Sequence, residues 1–153
     1  MNIPWQYLDK RAATISALKD YESMKFIAAQ APEEIAEMEQ KMVSISHSAM
    51  GDTIKNPFNP HAGETRLAKT IDAMDALNAK YRQAMAYMAW FRQGWEALTE
   101  DERFVLRSFY MAENQSQADN VNEICEVFHI ERTSAYKKKD RAVSRLSLML
   151  YGK

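Results

Sequence analysis

The residues best suited to chemistry lie toward the C-terminal end of the chain. Arg132, Thr133, Ser134, Tyr136, Lys137, Lys138, Arg141 and Arg145 share one short stretch. They combine guanidinium and ammonium groups with hydroxyls. Cations bind phosphate oxygens, and the same groups with hydroxyls can read donors and acceptors on base-pair edges. Charge follows the same division. Residues 131–153 hold seven lysines and arginines against two carboxylates, a net of +5. Residues 96–130 hold two against eight, a net of −6. Over the whole chain, 20 bases and 21 acids leave only −1. Phosphate binding needs a localised basic surface, whatever the net charge. A solvated amphipathic helix would show the same block, so charge alone leaves both readings open.

Other chemistries find little support. His47, His61, His129 and the single Cys125 are scattered, and no pair has metal-ligand spacing within one element, so no metal or other cofactor is expected. Cys125 has no basic neighbour and reads as a small buried apolar residue, not a nucleophile. Glu33, Glu34, Glu37 and Glu39 recur at helical spacing, which fits a solvated face better than paired catalytic carboxylates. There is no glycine-rich phosphate loop and no G-x-S-x-G elbow. The expectation is a protein that is not an enzyme.

The frame for the basic stretch is helical. With 153 residues, 46% hydrophobic and 27% charged, the chain suits a globular fold without metals or disulfides. Four Gly and four Pro are few for an all-β sandwich, and ten Met suit pliable helix-packing surfaces. No apolar run reaches the length of a membrane span, and the N-terminal residues show no secretory pattern. An all-α, cytoplasmic protein with no membrane partner is expected.

Two domains are expected, 1–97 and 98–153. In the first, Trp5, Leu8, Ala12, Ile15 and Leu18 space a helix from about Pro4. Pro32 predicts a kink or tight turn, after which Ile35, Met38, Met42 and Ile45 resume the stripe. Two Asn-Pro pairs and two glycines mark 46–63 as a loop. From Glu64, Leu67, Ile71, Met74, Asn78, Tyr81, Met85, Met88, Arg92 and Trp95 form a heptad seam, widened by Leu77, Ala84 and Phe91. The two halves make a long antiparallel helical hairpin, whose seam serves as core or as a homodimer interface. Trp90, Phe91 and Trp95 read as a core cluster beneath the C-terminal unit, not as a stacking platform for bases.

In the second domain, Thr99 and Glu102 predict a capping box ahead of a short helix bearing Phe104, Val105, Leu106, Phe109 and Tyr110. A polar linker, 113–119, precedes a second short helix with Val121, Ile124, Cys125 and Phe128. After a turn at His129, a third helix runs from about Arg132 with Ala135, Ala142, Val143, Leu146, Met149 and Leu150 inward, and stops at Gly152. Short helix, tight turn and longer basic helix is the helix-turn-helix pattern. It leaves Arg132, Thr133, Ser134, Tyr136, Lys137 and Lys138 free to enter a major groove, with Arg141 and Arg145 set for backbone phosphates.

Residues 99–151 resemble the C-terminal helix-turn-helix of sigma-type factors. The likeness rests on Val121-Asn122-Glu123-Ile124-Cys125, on Ile130 to Tyr136 and on Arg141 to Leu146, with Glu131 where such modules commonly place a Ser cap. Nearly the whole chain resembles the ArpU/RinA-like phage and prophage transcriptional regulators. That likeness rests on Ala31-Pro32-Glu33-Glu34-Ile35, Asn59-Pro60-His61-Ala62-Gly63-Glu64, Tyr87-Met88-Ala89-Trp90-Phe91 with Trp95, Ala135 to Ala142, and Leu150-Tyr151-Gly152-Lys153. The resemblance implies regulation of phage-type genes by binding double-stranded promoter DNA, and a contact with RNA polymerase. Two other readings accompany it. One is a DNA-packaging protein of the small-terminase kind. The other is a helix-turn-helix that binds protein and no DNA.

Overall fold

The computed structural model describes residues 8–51, 62–113 and 115–152. Among these residues there is no strand. The helices are α1 (Lys10–Gly51), α2 (Ala62–Glu96), α3 (Glu100–Leu106), α4 (Gln117–Phe128) and α5 (Arg132–Tyr151), with a π-helical turn, Arg107–Met111, directly after α3. The fold is all-α, with a long helix pair ahead of a helix-turn-helix module.

Several boundaries differ from the sequence expectation. The first helix starts at Lys10, not Pro4: Leu8 and Asp9 are not helical, and the Asp9 carboxylate accepts from the Ala12 N–H at 3.0 Å. Pro4 and Trp5 lie outside the described residues. Pro32 does not end the helix but lies inside α1. The ring removes one backbone donor, and at an exposed position solvent can take the freed carbonyl. The loop expected at 46–63 is shorter on both sides, since 46–51 finish α1 and 62–63 open α2. Its middle, 52–61, lies outside the described residues. Similarly, the linker expected to reach 119 ends at Ser116, whose hydroxyl caps α4 by accepting from the Asp119 N–H.

By packing, the chain divides into two units, Met1–Ser23 with Tyr87–Lys153, and Met24–Ala86. A helix break, between Glu96 and Glu100, falls near the expected boundary at 97/98, but compactness does not follow it. The start of α1 and the end of α2 belong with the C-terminal module.

In the Met24–Ala86 unit, the buried and half-buried positions of α1 are Met24, Ile27, Ala28, Ala31, Ile35, Met38, Met42 and Ile45. Those of α2 include Leu67, Thr70, Met74, Leu77, Tyr81 and Ala84. This seam keeps Leu67, Met74 and Tyr81 of the expected series, takes Leu77 and Ala84 of its expected widening, and adds Thr70. Ile71 and Met85 are instead exposed. Both phases satisfy a heptad spacing. The adopted one moves Asn78 to a half-buried flank, leaves Arg92 exposed, and so buries no unpaired charge. It also sets small residues, Thr70 and Ala84, where side-chain size limits helix approach.

The other unit holds two apolar clusters. The larger joins Ala17 and Leu18 of α1, Phe91 of α2, Leu98, Leu106 of α3, and Ala142, Val143 and Leu146 of α5. Of the expected stripe, Leu18 is buried and Ile15 half-buried against this cluster, but Leu8 and Ala12 are exposed, and Thr14 and Ala17 are buried in their place. Phe91 is the centre of the aromatic cluster, stacked on Tyr87 and Trp95 and 5.3 Å from Tyr21. Trp90 and Trp95 pack against the same core, as the sequence suggested. Residues near the start of α1 meet residues near the end of α2. The Tyr87 hydroxyl donates to the Ala17 carbonyl across that contact.

Arg103 fastens the chain between α2 and α3. Its Nε donates to the Trp95 carbonyl at 3.1 Å, and its Nη2 to the carbonyls of Leu98 at 2.8 Å and Glu96 at 3.2 Å. A cation here satisfies carbonyls that the end of α2 leaves without helical partners. The expected capping box is formed: Thr99 Oγ1 accepts from the Glu102 N–H, and Glu102 Oε2 from the Thr99 N–H.

Candidate nucleic-acid interface

The second cluster of the unit supports the basic helix. Val105, Val121, Ile124 and Ala135 are buried, with Phe104, Phe109, Cys125, Phe128, Ile130 and Tyr136 packed around them. Cys125 is half-buried, not enclosed as its sequence neighbourhood suggested. α4 ends at His129, whose φ of 53° and ψ of 48° put a non-glycine residue in the left-handed region. That conformation lets the His129 N–H reach the Cys125 carbonyl and turns the chain sharply. Ile130 follows, donates its N–H to the same carbonyl at 3.1 Å, and packs on the cluster. Ala135, fully buried and small, is where α5 settles on this core. α4 and α5 are thereby held as a helix-turn-helix pair. α5 also packs against α3. Glu131 is the N-cap of α5 and makes no side-chain capping bond.

This frame sorts the candidate residues into two groups. Arg132, Thr133, Ser134, Lys137, Arg141 and Arg145 are exposed. Thr133, Lys137 and Arg141 follow one another at four-residue steps, which keeps them on one side of α5. Arg132, Lys137 and Arg141 have no ion pair among the described residues. Arg145 Nη1 faces Glu102 Oε1 at 3.5 Å, a contact not anticipated from the sequence.

Tyr136 and Lys138 do not stand free as expected. Tyr136 is half-buried, its ring 5.7 Å from that of Phe109. Lys138 is half-buried too, its Nζ 4.4 Å from the Phe128 ring centroid. A helix cannot present six of the seven residues 132–138 to one side. Tyr136 and Lys138 turn toward the rings of Phe109 and Phe128, and Lys137 between them turns outward. Lys139, at 18% side-chain exposure, lies between Phe109, Tyr136 and the Asp140 carboxylate. Asp140 in turn takes Arg11 of α1 at 2.7 Å. Two of the three consecutive lysines are therefore partly spent on packing.

At the far end of α5, Met149 is exposed, against expectation, while Leu146 is buried and Leu150 half-buried. Gly152, with φ 76°, stops the helix as predicted. His47 and His129 are exposed, and His61 lies outside the described residues. Among the described residues no group of three His, Cys, Asp or Glu side chains is placed to hold a metal ion. No helix among them is long and apolar enough to cross a membrane. Glu33, Glu34, Glu37 and Glu39 are exposed.

Comparison with protein-family models, with curated proteins and with solved structures finds no match to this chain.

Proposed function

We propose that the protein is a transcriptional regulator of the phage or prophage kind that binds duplex promoter DNA through α4 and α5. One observation carries the reading. Lys137 and Arg141, unpaired cations, share one side of a helix whose start is held by a tight turn, and Thr133 and Ser134 stand beside them. A helix so equipped matches the needs of a major groove: hydroxyls and cations for base edges at its start, cations further along for phosphates. The resemblance to sigma-type modules supports the same assignment and extends it to a contact with RNA polymerase. Tyr136 and Lys138 fall out of direct readout and position the helix instead.

The test is charge reversal of single residues. Lys137→Glu and Arg141→Glu each abolish binding to duplex DNA, while circular dichroism shows unchanged helicity. Retained binding in both variants overturns the assignment of these residues.

A second reading is favoured by the acidic side of the same module. Glu100, Asp101, Glu113, Glu123 and Glu126 are exposed on or beside α3 and α4, and Val127 is 53% exposed on α4. Such a surface suits a basic protein partner. Recovery of RNA polymerase with the full chain, without salt-sensitive DNA binding, supports an interaction module instead.

A further inference from the structure

Behind the basic helix lies a cavity of about 310 Å³, formed wholly within the Met1–Ser23 and Tyr87–Lys153 unit. Lys19 of α1, Phe109 and Tyr110 of the π-helical turn, Gln117 and Asn120 of α4, and Lys139 of α5 line it. Two of its lining residues are cations and none is a carboxylate, although the segment supplying most of the lining is the acidic one. The volume is at the lower end of small-molecule pockets. The π-helical turn shapes one wall, and such turns recur at functional sites because they displace side chains from the regular helical register.

Asn120 supplies an independent observation. The residue is 4% exposed, and its Oδ1 is buried with no hydrogen-bond partner among the described residues. A buried acceptor left unsatisfied costs about 1–3 kcal/mol, so a donor that reaches it after a small turn of the Asn120 amide toward the cavity is favoured. Lys19 is exposed and has no ion pair among the described residues. Lys139 Nζ is 3.7 Å from Asp140 Oδ1, an oxygen already engaged by Arg11.

We propose that this cavity binds a small hydroxylated organic anion. Its carboxylate or phosphate would sit between Lys19 and Lys139, and a hydroxyl would donate to Asn120. The Gln117 amide and the Tyr110 hydroxyl add polar contacts, and the Phe109 ring an apolar wall. A free small molecule suits the site better than a DNA phosphate. Lys139 is two residues from both Lys137 and Arg141, which puts it about 200° around α5 from each. The proposal does not depend on the nucleic-acid reading.

The experiment is a titration of the ¹⁵N-labelled full chain by heteronuclear NMR. The probes are ribose 5-phosphate, malate, inorganic phosphate and ribose. The expected result is saturable shifts at Gln117, Asn120 and Lys139 with ribose 5-phosphate or malate, and whichever binds tighter identifies the anionic group. Inorganic phosphate binds at least about tenfold more weakly, and ribose produces no saturation. Lys19→Gln, an exposed change that spares the core, weakens the better probe by about tenfold. Three results overturn the proposal: no saturation with either hydroxylated anion, inorganic phosphate binding as tightly as they do, or undiminished binding in Lys19→Gln.

Discussion

Arg145 Nη1 stands 3.5 Å from Glu102 Oε1, and the other oxygen of the same carboxylate, Oε2, accepts from the Thr99 N–H at 2.9 Å. One side chain thus closes the cap of α3 and leans on a cation of the proposed DNA-binding helix. The Arg145 side chain is 46% exposed, so the pair is screened and contributes on the order of 0–1 kcal/mol to stability. If α5 binds DNA as proposed, its weight is greater there, because the carboxylate would compete with phosphate for the guanidinium.

Glu102→Gln separates the two roles. Glutamine still closes a capping box, so the unfolding free energy changes by less than about 1 kcal/mol. Loss of the carboxylate frees Arg145, and affinity for duplex DNA rises by about two- to fivefold at low salt, an effect that fades as salt increases. Chemical denaturation and fluorescence anisotropy on the same preparation test both halves. An affinity that falls would show that Glu102 orders Arg145 for binding.

Arg103 is a different case, because besides its exposed pair with Glu100 it donates to three backbone carbonyls at and just after the end of α2. Arg103→Ala leaves the carbonyls of Trp95, Glu96 and Leu98 without that donor. Hydrogen bonds to charged groups contribute about 1.5–3 kcal/mol each and do not add fully. The variant loses about 2–4 kcal/mol on urea denaturation. A loss below about 0.5 kcal/mol would mean that water replaces the guanidinium at no cost.

Gly94 lies where α2 meets α5. A Cβ there would come within 2.7 Å of Leu150 Cδ2 and 3.3 Å of Leu146 Cδ1. Gly94→Ala gains about 1 kcal/mol of helix propensity but must displace a leucine methyl, and overpacking costs about 1–3 kcal/mol. The net expectation is a loss of about 1 kcal/mol, read as a lower melting temperature. A more stable variant would show that Leu150 moves aside freely.

Tyr87 links stability to alkaline pH. Burial, with lesser contributions from Asp20, Tyr21 and Tyr151, raises the Tyr87 pKa well above its ordinary 10.0. Burial raises Tyr110 and Tyr151 in the same direction. The folded state therefore keeps a proton that the unfolded chain releases near pH 10. Its contribution is complete below about pH 10 and is lost as pH rises beyond it. Tyr87→Phe removes the bond to Ala17 and costs about 0.5–1.5 kcal/mol at neutral pH. It also flattens the decline above about pH 10, as paired denaturation curves across the alkaline range would register.

Much of the module was legible because its signals are local. The Thr99 capping box, the stop at Gly152 and the buried positions Ala135, Ala142, Val143 and Leu146 each follow from a few neighbouring residues. The seam of α2 was not legible to the same degree. Leu67, Met74 and Tyr81 fit two heptad phases, and only the partner helix selects Thr70 and Ala84 over Ile71 and Met85. Of the kink or tight turn expected at Pro32, the turn is absent, because the cost of one proline is modest beside the rest of a long packed helix. At the proposed site, charge identified the helix but not the direction of each side chain. Tyr136 and Lys138 look as available as Lys137 until Phe109 and Phe128 come into view. Arg145 gave no sign of Glu102, 43 residues away in sequence.

The central claim is tested most directly by fluorescence anisotropy on duplex DNA from the neighbourhood of the protein's own coding sequence, with a scrambled duplex alongside, at several salt concentrations. Binding through α5 predicts tighter association with the first duplex. It also predicts a log–log salt slope of about −0.9 per phosphate neutralised, and a slope reduced by about one in Lys137→Ala, which weakens binding without the repulsion that a glutamate adds. No association with either duplex at low salt would contradict the account.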